Sequence, residues 1–531
     1  VGHRRLRSVA SGDLVINGSW SVSGYHSIGR PSSVTNLDAD DLQQGGSAVA
    51  IHASVGGGVT IEGMGVEDDV DDDGDGITES AGDTNDDLSA TILTYGSAPT
   101  IAIETDGVNN IVIGTTSSGY GLHVQGTLAA SGVYDNVDAT AIRIAGSGAS
   151  TVSIADGITL DRLVSAGASN GSAYGVVIGP NASTSVLLQR GVLAANVTSD
   201  NAEEAVSVLI NAGGNMPTLT NSGTIRSQLF GEIGAATGIR DQSGTLTTIN
   251  NTGAIIALLI PTDADPADSI PAPPATGPAV AIDVSANTTG VTINQTADVV
   301  FNDEDTVDDD VNARPTIQIY GDILLGSGAD TINLLKGDII GDVSFGAGAD
   351  SLTINNAARF AGGITDSDGA LTINVVNGTL AHTGGTTNFT TGTFNADAVL
   401  GVVLSTTPGA STFLHSSGTI TFDPGAEIVP VVPVGLPLSG SQIFLTADGG
   451  LIGASNVTGS VTSDGVPYLY NLAINTALGD PNSLEASYQL KTAAQLGLNR
   501  NQSIAYDPII EALRQDSSAA AAMAVPAPTA R

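Results

Sequence analysis

The residues best suited to chemistry are acidic side chains near position 70. Asp71, Asp73 and Asp75 match the D-x-D-x-D-G start of a calcium-binding loop. Glu79 stands at the ninth position of that loop, but the twelfth position is a glycine where a glutamate is expected. Hard oxygen ligands at alternate positions can wrap around one Ca²⁺ ion. The segment therefore predicts either a calcium site or a solvated acidic loop.

Two further aspartates end a repeated glycine-rich string. The strings GSGAD and GAGAD end at Asp330 and Asp350. Both strings resemble half of a calcium-binding nonapeptide, which requires successive nine-residue repeats that this sequence lacks. The alternative is a tight corner in which each aspartate caps backbone N–H groups. Asp330 and Asp350 are thus weaker metal candidates than the acidic segment.

Groups for catalysis are sparse. Residues 167–171 match G-x-S-x-G, but they lie in a Gly/Ser/Asn-rich turn and not in the strand-to-helix elbow that a hydrolase needs. No histidines form a zinc-binding motif, and His52 and His123 alternate with apolar residues and are predicted to face outward. A glycan-active enzyme needs convergent acids, bases and aromatic platforms. We predict no catalytic residue and no required cofactor, with Ca²⁺ as the one candidate ligand.

The composition limits the class of protein. The 531 residues include 67 glycines and no cysteine, and only 13% are charged and 4% aromatic. The net charge of −39 excludes a general nucleic-acid binder, because phosphate contacts need a basic face. A hydrophobic content of 41% argues against disorder. The composition therefore favours a protein of repeating β structure with turns made of small residues.

A short string, Thr-Ile-Asn, recurs along the chain. It begins at Thr248, Thr292, Thr331, Thr353 and Thr372. Its isoleucines are separated by 44, 39, 22 and 19 residues, close to two, two, one and one units of about 20 residues. The spacing therefore predicts solenoid rungs of about 20 residues.

Pairs of short alternating segments support the same fold. Each pair is bounded by Gly, Ser, Asn or Asp, which favour turns. The pairs are 48–51 with 58–61, 139–142 with 152–154, 175–178 with 186–188, and 279–282 with 290–293. Stacked rungs would pair their backbones and point alternate Val, Ile and Leu side chains into one core. The sequence predicts an all-β, right-handed parallel β-helix.

Breaks in the repeat give the expected organisation. We expect rungs over 1–400, with protruding inserts at 62–90, 261–278 and 302–312. A β region over 401–490 is expected to cap the solenoid, since an open core needs a terminal unit. Residues 491–516 are helix-like, and Asp507–Pro508 predicts two shorter helices there, before a flexible tail at 517–531.

Three C-terminal stretches carry a family resemblance. They read SGSQIFLTADGGLIGASNVTG from Ser439, then PYLYNLAINT, then LEASYQLKTAAQLGLNRNQSIAYDPIIEALRQD. Together they resemble the end of an autotransporter (type V secretion) passenger of alphaproteobacterial type, without its β-barrel. The resemblance covers about residues 436–516. It implies a β-helix that crosses the outer membrane unfolded, with the outer-membrane β-barrel of the same precursor as partner.

The resemblance and the composition lead to three functional hypotheses. The first is a surface-displayed or released structural, adhesive or self-associating module that contacts a surface or glycan ligand and no nucleic acid. The second is a β-helix enzyme that acts on an extracellular polysaccharide. The third is a calcium-dependent surface-layer or filament protein. All three place the chain at the bacterial cell surface or outside the cell.

Overall fold

The computed structural model describes residues 4–6, 10–22, 46–63, 89–199, 201–262, 272–297, 316–405, 411–431, 439–461 and 469–515. Of these residues 58% are in β structure and 4% in helices. The strands pair mainly in parallel, which confirms the predicted β-solenoid. The chain divides into two compact units, 1–327 and 328–531. The predicted insert at 302–312, most of that at 62–90 and half of that at 261–278 lie outside the described residues.

The first unit is built from four strips of parallel strands, A to D. Strip A consists of β1 (Arg4–Leu6), β4 (Val49–Ile51), β7 (Ile101–Glu104), β11 (Ala139–Ala145), β15 (Ala173–Ile178), β19 (Glu203–Ile210), β22 (Gly234–Asp241), β25 (Ala279–Asp283) and β28 (Asp322–Leu324). Strip B consists of β2 (Leu14–Ile16), β5 (Val59–Ile61), β9 (Leu122–Val124), β13 (Ile158–Leu160), β17 (Val186–Gln189), β20 (Thr218–Asn221), β23 (Thr248–Asn251) and β26 (Thr292–Gln295).

Strip C contributes the third strand of each complete rung, and strip D adds a short fourth strand to some rungs. Strip C consists of β3 (Ser19–Val22), β6 (Thr91–Tyr95), β10 (Thr127–Asp135), β14 (Leu163–Ser169), β18 (Val192–Thr198), β21 (Thr224–Phe230), β24 (Ala254–Ile260) and β27 (Gln318–Tyr320). Strip D is short and consists of β8 (Ile111–Ile113), β12 (Val152–Ile154) and β16 (Ala182–Thr184). The predicted pairs of short segments are thus confirmed as strands.

The rungs of the first unit are longer than predicted. Asn221 pairs with Asn251 across a sequence separation of 30, and Asn251 pairs with Gln295 across a separation of 44. The interpretation of the 44-residue interval between Ile249 and Ile293 as two rungs is therefore wrong. That interval is one rung, which contains the 261–278 segment. Strips A, B and C each contribute a strand to every complete rung, and the turns between them lengthen it.

Apolar residues at inward strand positions form the core of the first unit. In strip A one inward column consists of Ile142, Val176, Val208, Ile239 and Ile282, all fully buried. Burial of such a side chain contributes roughly 1.5–3 kcal/mol. Because neighbouring rungs present equivalent residues in register, the stack forms a continuous core.

A buried column of amides lies beside this core. Asn221 donates from Nδ2 to Oδ1 of Asn251 at 2.8 Å, and Asn251 donates to Oε1 of Gln295 at 3.1 Å. Each asparagine also donates to the carbonyl of the glycine two positions on, such as Gly253. A Cβ atom on Gly253 would lie 2.1 Å from the carbonyl oxygen of Gly223, so only glycine fits this stacked turn. The column holds consecutive turns in register.

Replacement of Asn251 by alanine should lower the local free energy of unfolding by roughly 2 kcal/mol, because it removes the buried hydrogen bonds that Asn251 makes with Asn221 and Gln295. Hydrogen exchange of the β23 amides measures this loss. The matched control is Asn250→Ala, since Asn250 is partly exposed and faces outward. Equal protection in both variants would contradict a structural role for the amide column.

The second unit contains shorter rungs and a mixed sheet at its end. One ladder consists of β29 (Thr331–Leu334), β32 (Ser351–Ile354), β35 (Thr372–His382), β37 (Thr391–Val403), β39 (Thr419–Phe422) and β42 (Gly450–Ile452). A second ladder consists of β30 (Asp338–Ile340), β33 (Ala358–Gly362), the later halves of β35 and β37, and β40 (Glu427–Val431). A third pairs β31 (Val343–Phe345) with β34 (Ile364–Asp366).

The predicted short rung is confirmed in the first part of this unit. Thr331 pairs with Ser351 across a sequence separation of 20, and Ser351 pairs in turn with Thr372. The closing sheet consists of β36 (Gly385–Phe389), β38 (Thr412–Ser416), β41 (Ser439–Ala447), β45 (Asp480–Leu490), β44 (Tyr470–Ala477) and β43 (Gly459–Ser460). β45 lies antiparallel to β41 and to β44, so the parallel stacking ends here.

The helical segment differs from the predicted pair of helices. Ala454–Asn456 forms a 3-10 turn, and one helix, α1, spans Arg500–Gln515. The predicted break at Pro508 is wrong, because α1 continues through it. Proline removes one N–H donor, and the carbonyl it would have bonded belongs to Ile504, which is exposed to water. Within the described residues, neither helix has the length and apolar character needed to span a membrane.

Candidate functional site

The aspartates of the two glycine-rich strings meet at one turn of the second unit. Asp330 and Asp350 each directly precede a strand, β29 and β32, and both are almost fully buried. The backbone N–H of Asp330 donates to Oδ1 of Asp350 at 2.7 Å. Asp350 therefore caps a backbone amide of the preceding rung, as the structural alternative predicted.

Burial changes the titration of this turn. Desolvation raises the pKa of Asp350 from 3.8 to about 6, with further contributions from the negative charges of Asp330, Asp366 and Asp368. The hydrogen bond from Asp330 N–H opposes the rise. Burial also raises the pKa of Asp366. At neutral pH the turn thus holds a buried carboxylate whose charge is costly.

Among the described residues, no three acidic, histidine or cysteine side chains converge to hold a metal ion. The stronger calcium candidates, Asp71, Asp73, Asp75 and Glu79, lie outside the described residues. Calcium binding by these residues, or by Asp330 and Asp350, stays a prediction. The chemistry of a pair of buried carboxylates remains compatible with a cation.

One histidine of the second unit is buried and neutral. Gly384 N–H donates to Nδ1 of His382 at 3.2 Å, so Nε2 carries the proton and donates to Oγ1 of Thr387 at 2.8 Å. Thr387 in turn donates from Oγ1 to the carbonyl of Ile364. Burial lowers the pKa of His382 from 6.5 to about 4, although the charge of Asp342 acts in the other direction. His382 therefore stabilises the turn after β35 only in its neutral form.

A second histidine network lies on the first unit, at residues for which the sequence predicted no site. His123 faces away from the core on β9, between the buried Leu122 and Val124, which agrees with the predicted outward direction. It is nevertheless only 3% exposed. Its Nδ1 lies 2.8 Å from Oγ of Ser118, and its Nε2 lies 2.6 Å from Oδ2 of Asp161.

Neighbouring groups fix the carboxylate of this network. Asp161 follows β13 and donates its N–H to the carbonyl of Val124, which places it one rung from His123. Thr159 donates to Asp161 Oδ1 at 2.8 Å, and the Arg190 guanidinium lies 3.7 Å from the same oxygen. Arg190 also donates to the hydroxyl of Tyr120 at 3.2 Å. The carboxylate is thus held from two sides while it contacts the imidazole.

The serine of this network lies in a tight turn. Gly119 N–H donates to the carbonyl of Thr116 at 3.0 Å, and Gly119 has a φ of +89°. Ser118 between them is partly exposed, and its Oγ lies 2.8 Å from Oγ1 of Thr116. Ser118, His123 and Asp161 are therefore joined in that order by two hydrogen-bonding contacts, with the serine nearest the surface.

The predicted residues and the observed network differ for a clear reason. Ser169, in the G-x-S-x-G string, ends β14 and donates to Asp135, so it lies in a different network. His52 contacts the carbonyl of Glu104 through Nδ1 at 2.8 Å. The network was missed because the predicted rung is too short for this unit, where the register pairs His123 with Thr159. A search for Ser, His and Asp at the actual rung length would have found it.

Comparison with known proteins adds no relative. The chain matches no protein-family model, no curated protein and no solved structure.

Proposed function

We propose that the chain is an extracellular structural module of the autotransporter-passenger kind, which acts by adhesion or self-association and not by catalysis on glycans. The observation that carries the proposal is an uncharged polar face on the second unit, the Thr/Asn face. It consists of Asn333, Thr353, Asn374, Thr393 and Thr421, aligned in register and partly exposed. A flat, repeated hydrogen-bonding face favours extended contact over a single binding pocket.

The charge of the chain supports this choice of face. With a net charge of −39, most of the surface repels a second copy. A column of Thr and Asn side chains without charge lowers that repulsion locally. The antiparallel end of the second unit and the resemblance of residues 436–516 to passenger C-termini support outer-membrane export.

The test compares cells that display the chain with cells that display charged variants. Thr353→Asp together with Thr393→Asp should abolish most cell–cell aggregation or surface adhesion, because both charges enter the Thr/Asn face. The matched control, Ser344→Asp with Thr365→Asp, adds the same charge to the β31–β34 ladder and should retain it. Equal loss in both variants would contradict the assignment of this face.

The enzyme hypothesis has a separate test. The purified chain, incubated with a panel of extracellular polysaccharides, should release no reducing ends above background. Turnover that disappears when acidic residues of the chain are substituted would replace the structural proposal with a glycan-active one.

A further inference from the structure

The network of Ser118, His123 and Asp161 has the components of an activated nucleophile. A serine hydroxyl becomes reactive when an imidazole accepts its proton and a third group orients that imidazole. Both contacts are within hydrogen-bonding distance here, at 2.8 Å and 2.6 Å. We propose that Ser118 is a nucleophilic serine that takes a short acyl group from an ester and passes it to water.

The tautomer of His123 follows from its partners. Asp161 carries no proton to donate when ionised, so the 2.6 Å contact requires a proton on Nε2 of His123. In the neutral ring Nδ1 then carries the lone pair, and that lone pair faces the hydroxyl of Ser118. Asp161 is therefore a positioning residue, as the carboxylate is in other triads. In the usual triad Nε2 accepts the serine proton and Nδ1 donates to the carboxylate, whereas here Nδ1 accepts and Nε2 donates. The proton transfer from serine to imidazole is chemically the same.

The reaction balances without another reagent. Ser118 Oγ forms a bond to the ester carbonyl carbon while its proton moves to Nδ1 of His123. The C–O bond to the alcohol then breaks, and the leaving oxygen takes that proton. Water repeats the sequence on the acyl-serine, which releases a carboxylic acid and restores the hydroxyl. Thr116 donates its hydroxyl proton to the carbonyl of Tyr120 at 2.8 Å, and its Oγ1 lies 2.8 Å from Ser118 Oγ, so it holds the serine in place without donating to it.

The position of the serine sets the class of substrate. Ser118 is partly exposed on a turn, whereas His123 below it is 3% exposed. A Cβ atom on the adjacent Gly119 would meet no atom within 4 Å, so the approach to the turn is open. An open approach suits a short acyl ester carried on a larger molecule, such as an O-acetyl group. The proposal is independent of the Thr/Asn face.

The probe for this site is a fluorophosphonate that carries a fluorophore. Wild-type protein should form one covalent adduct, located on Ser118 by peptide mass spectrometry. Ser118→Ala should remove it, and His123→Gln should reduce labelling by more than about tenfold, because triad members act as a unit. The glutamine side chain can still form hydrogen bonds where the imidazole lay, but it cannot accept the proton of the Ser118 hydroxyl. Ser117→Ala, next to the nucleophile in the same turn, is the matched control and should label normally.

A second readout separates a positioning role from a structural one. Asp161→Asn should also reduce labelling by more than about tenfold, because an amide no longer fixes the tautomer. Hydrolysis of p-nitrophenyl acetate should fall in parallel, while the melting temperature and circular dichroism stay near wild type. Wild-type labelling no greater than that of Ser118→Ala, or labelling unchanged by His123→Gln, would show that the network only holds the turn and would overturn the proposal.

Discussion

Replacement of Phe394 by alanine should lower the free energy of unfolding of the second unit by about 3–5 kcal/mol. Phe394 is fully buried, and its ring stacks on that of Phe422 with 5.1 Å between centroids. Val375 lies in register on the other side. Backbone ladders fix the distance between rungs, so neighbouring side chains cannot collapse into the cavity. The whole volume of the lost ring then contributes to the loss.

The measurement is hydrogen exchange of β37 and β39, together with urea unfolding followed by circular dichroism. A local probe is needed because stacked rungs can open separately. The control is Thr393→Ala, which lies next to Phe394 but faces outward and should change stability by less than about 0.5 kcal/mol. Similar losses in both variants would mean that Phe394 does not pack in the core.

Much of the fold could be predicted because strand alternation is a local property. The short segments at 48–51 and 58–61 contain their own inward and outward positions, so each strand can be predicted without knowledge of its neighbours. Rung length is not local. The predicted rung length of about 20 residues holds for the compact turns around Thr331 and Thr372. It fails in the first unit, where longer strands and inserts lengthen each rung.

The same limit explains which site residues the sequence could indicate. Asp330 and Asp350 repeat within one rung length, so their stacking was visible as a repeat. Ser118 and His123 are close in sequence, but Asp161 reaches them only through the register of β9 with β13. Burial of His123 depends on the turn that covers it. No pattern of residue types reports that turn before the fold is known.

Replacement of Asp350 by asparagine should stabilise the second unit by about 2 kcal/mol at pH 8. The pKa of Asp350 is about 6 in the folded chain, against 3.8 for the ordinary carboxyl group. Each unit of difference corresponds to about 1.4 kcal/mol, and screening by water at the turn reduces the full value. The folded chain binds the proton more tightly, so its stability falls as the pH rises from 3.8 to about 6. Asparagine accepts the same N–H of Asp330 and carries no charge, so it avoids the loss.

The pH profile gives the sign of this effect. Below the unfolded pKa of 3.8 the aspartic acid is neutral in both states, so wild type and Asp350→Asn should be equally stable there. His382 acts in the opposite direction, because its folded pKa of about 4 lies below 6.5 and stability rises with pH between these values. The two slopes oppose each other in wild type. The variant should lose the fall due to Asp350 and retain the rise from His382, together with the fall from Asp366, whose pKa burial also raises.

Thermal unfolding between pH 3.5 and pH 8 measures these slopes, with Asp368→Asn as the control. Asp368 is exposed, and its carboxylate accepts the N–H groups of Gly348 and Ala370. Its substitution therefore weakens a hydrogen bond while it removes a minor repulsion, and it should give little or no gain. Excess Ca²⁺ then tests the metal prediction for Asp330 and Asp350. A bound cation would use the ionised form of Asp350, raise the melting temperature of wild type alone and cancel the advantage of asparagine. An asparagine variant that is less stable than wild type at pH 8 without Ca²⁺ would contradict the desolvation cost itself.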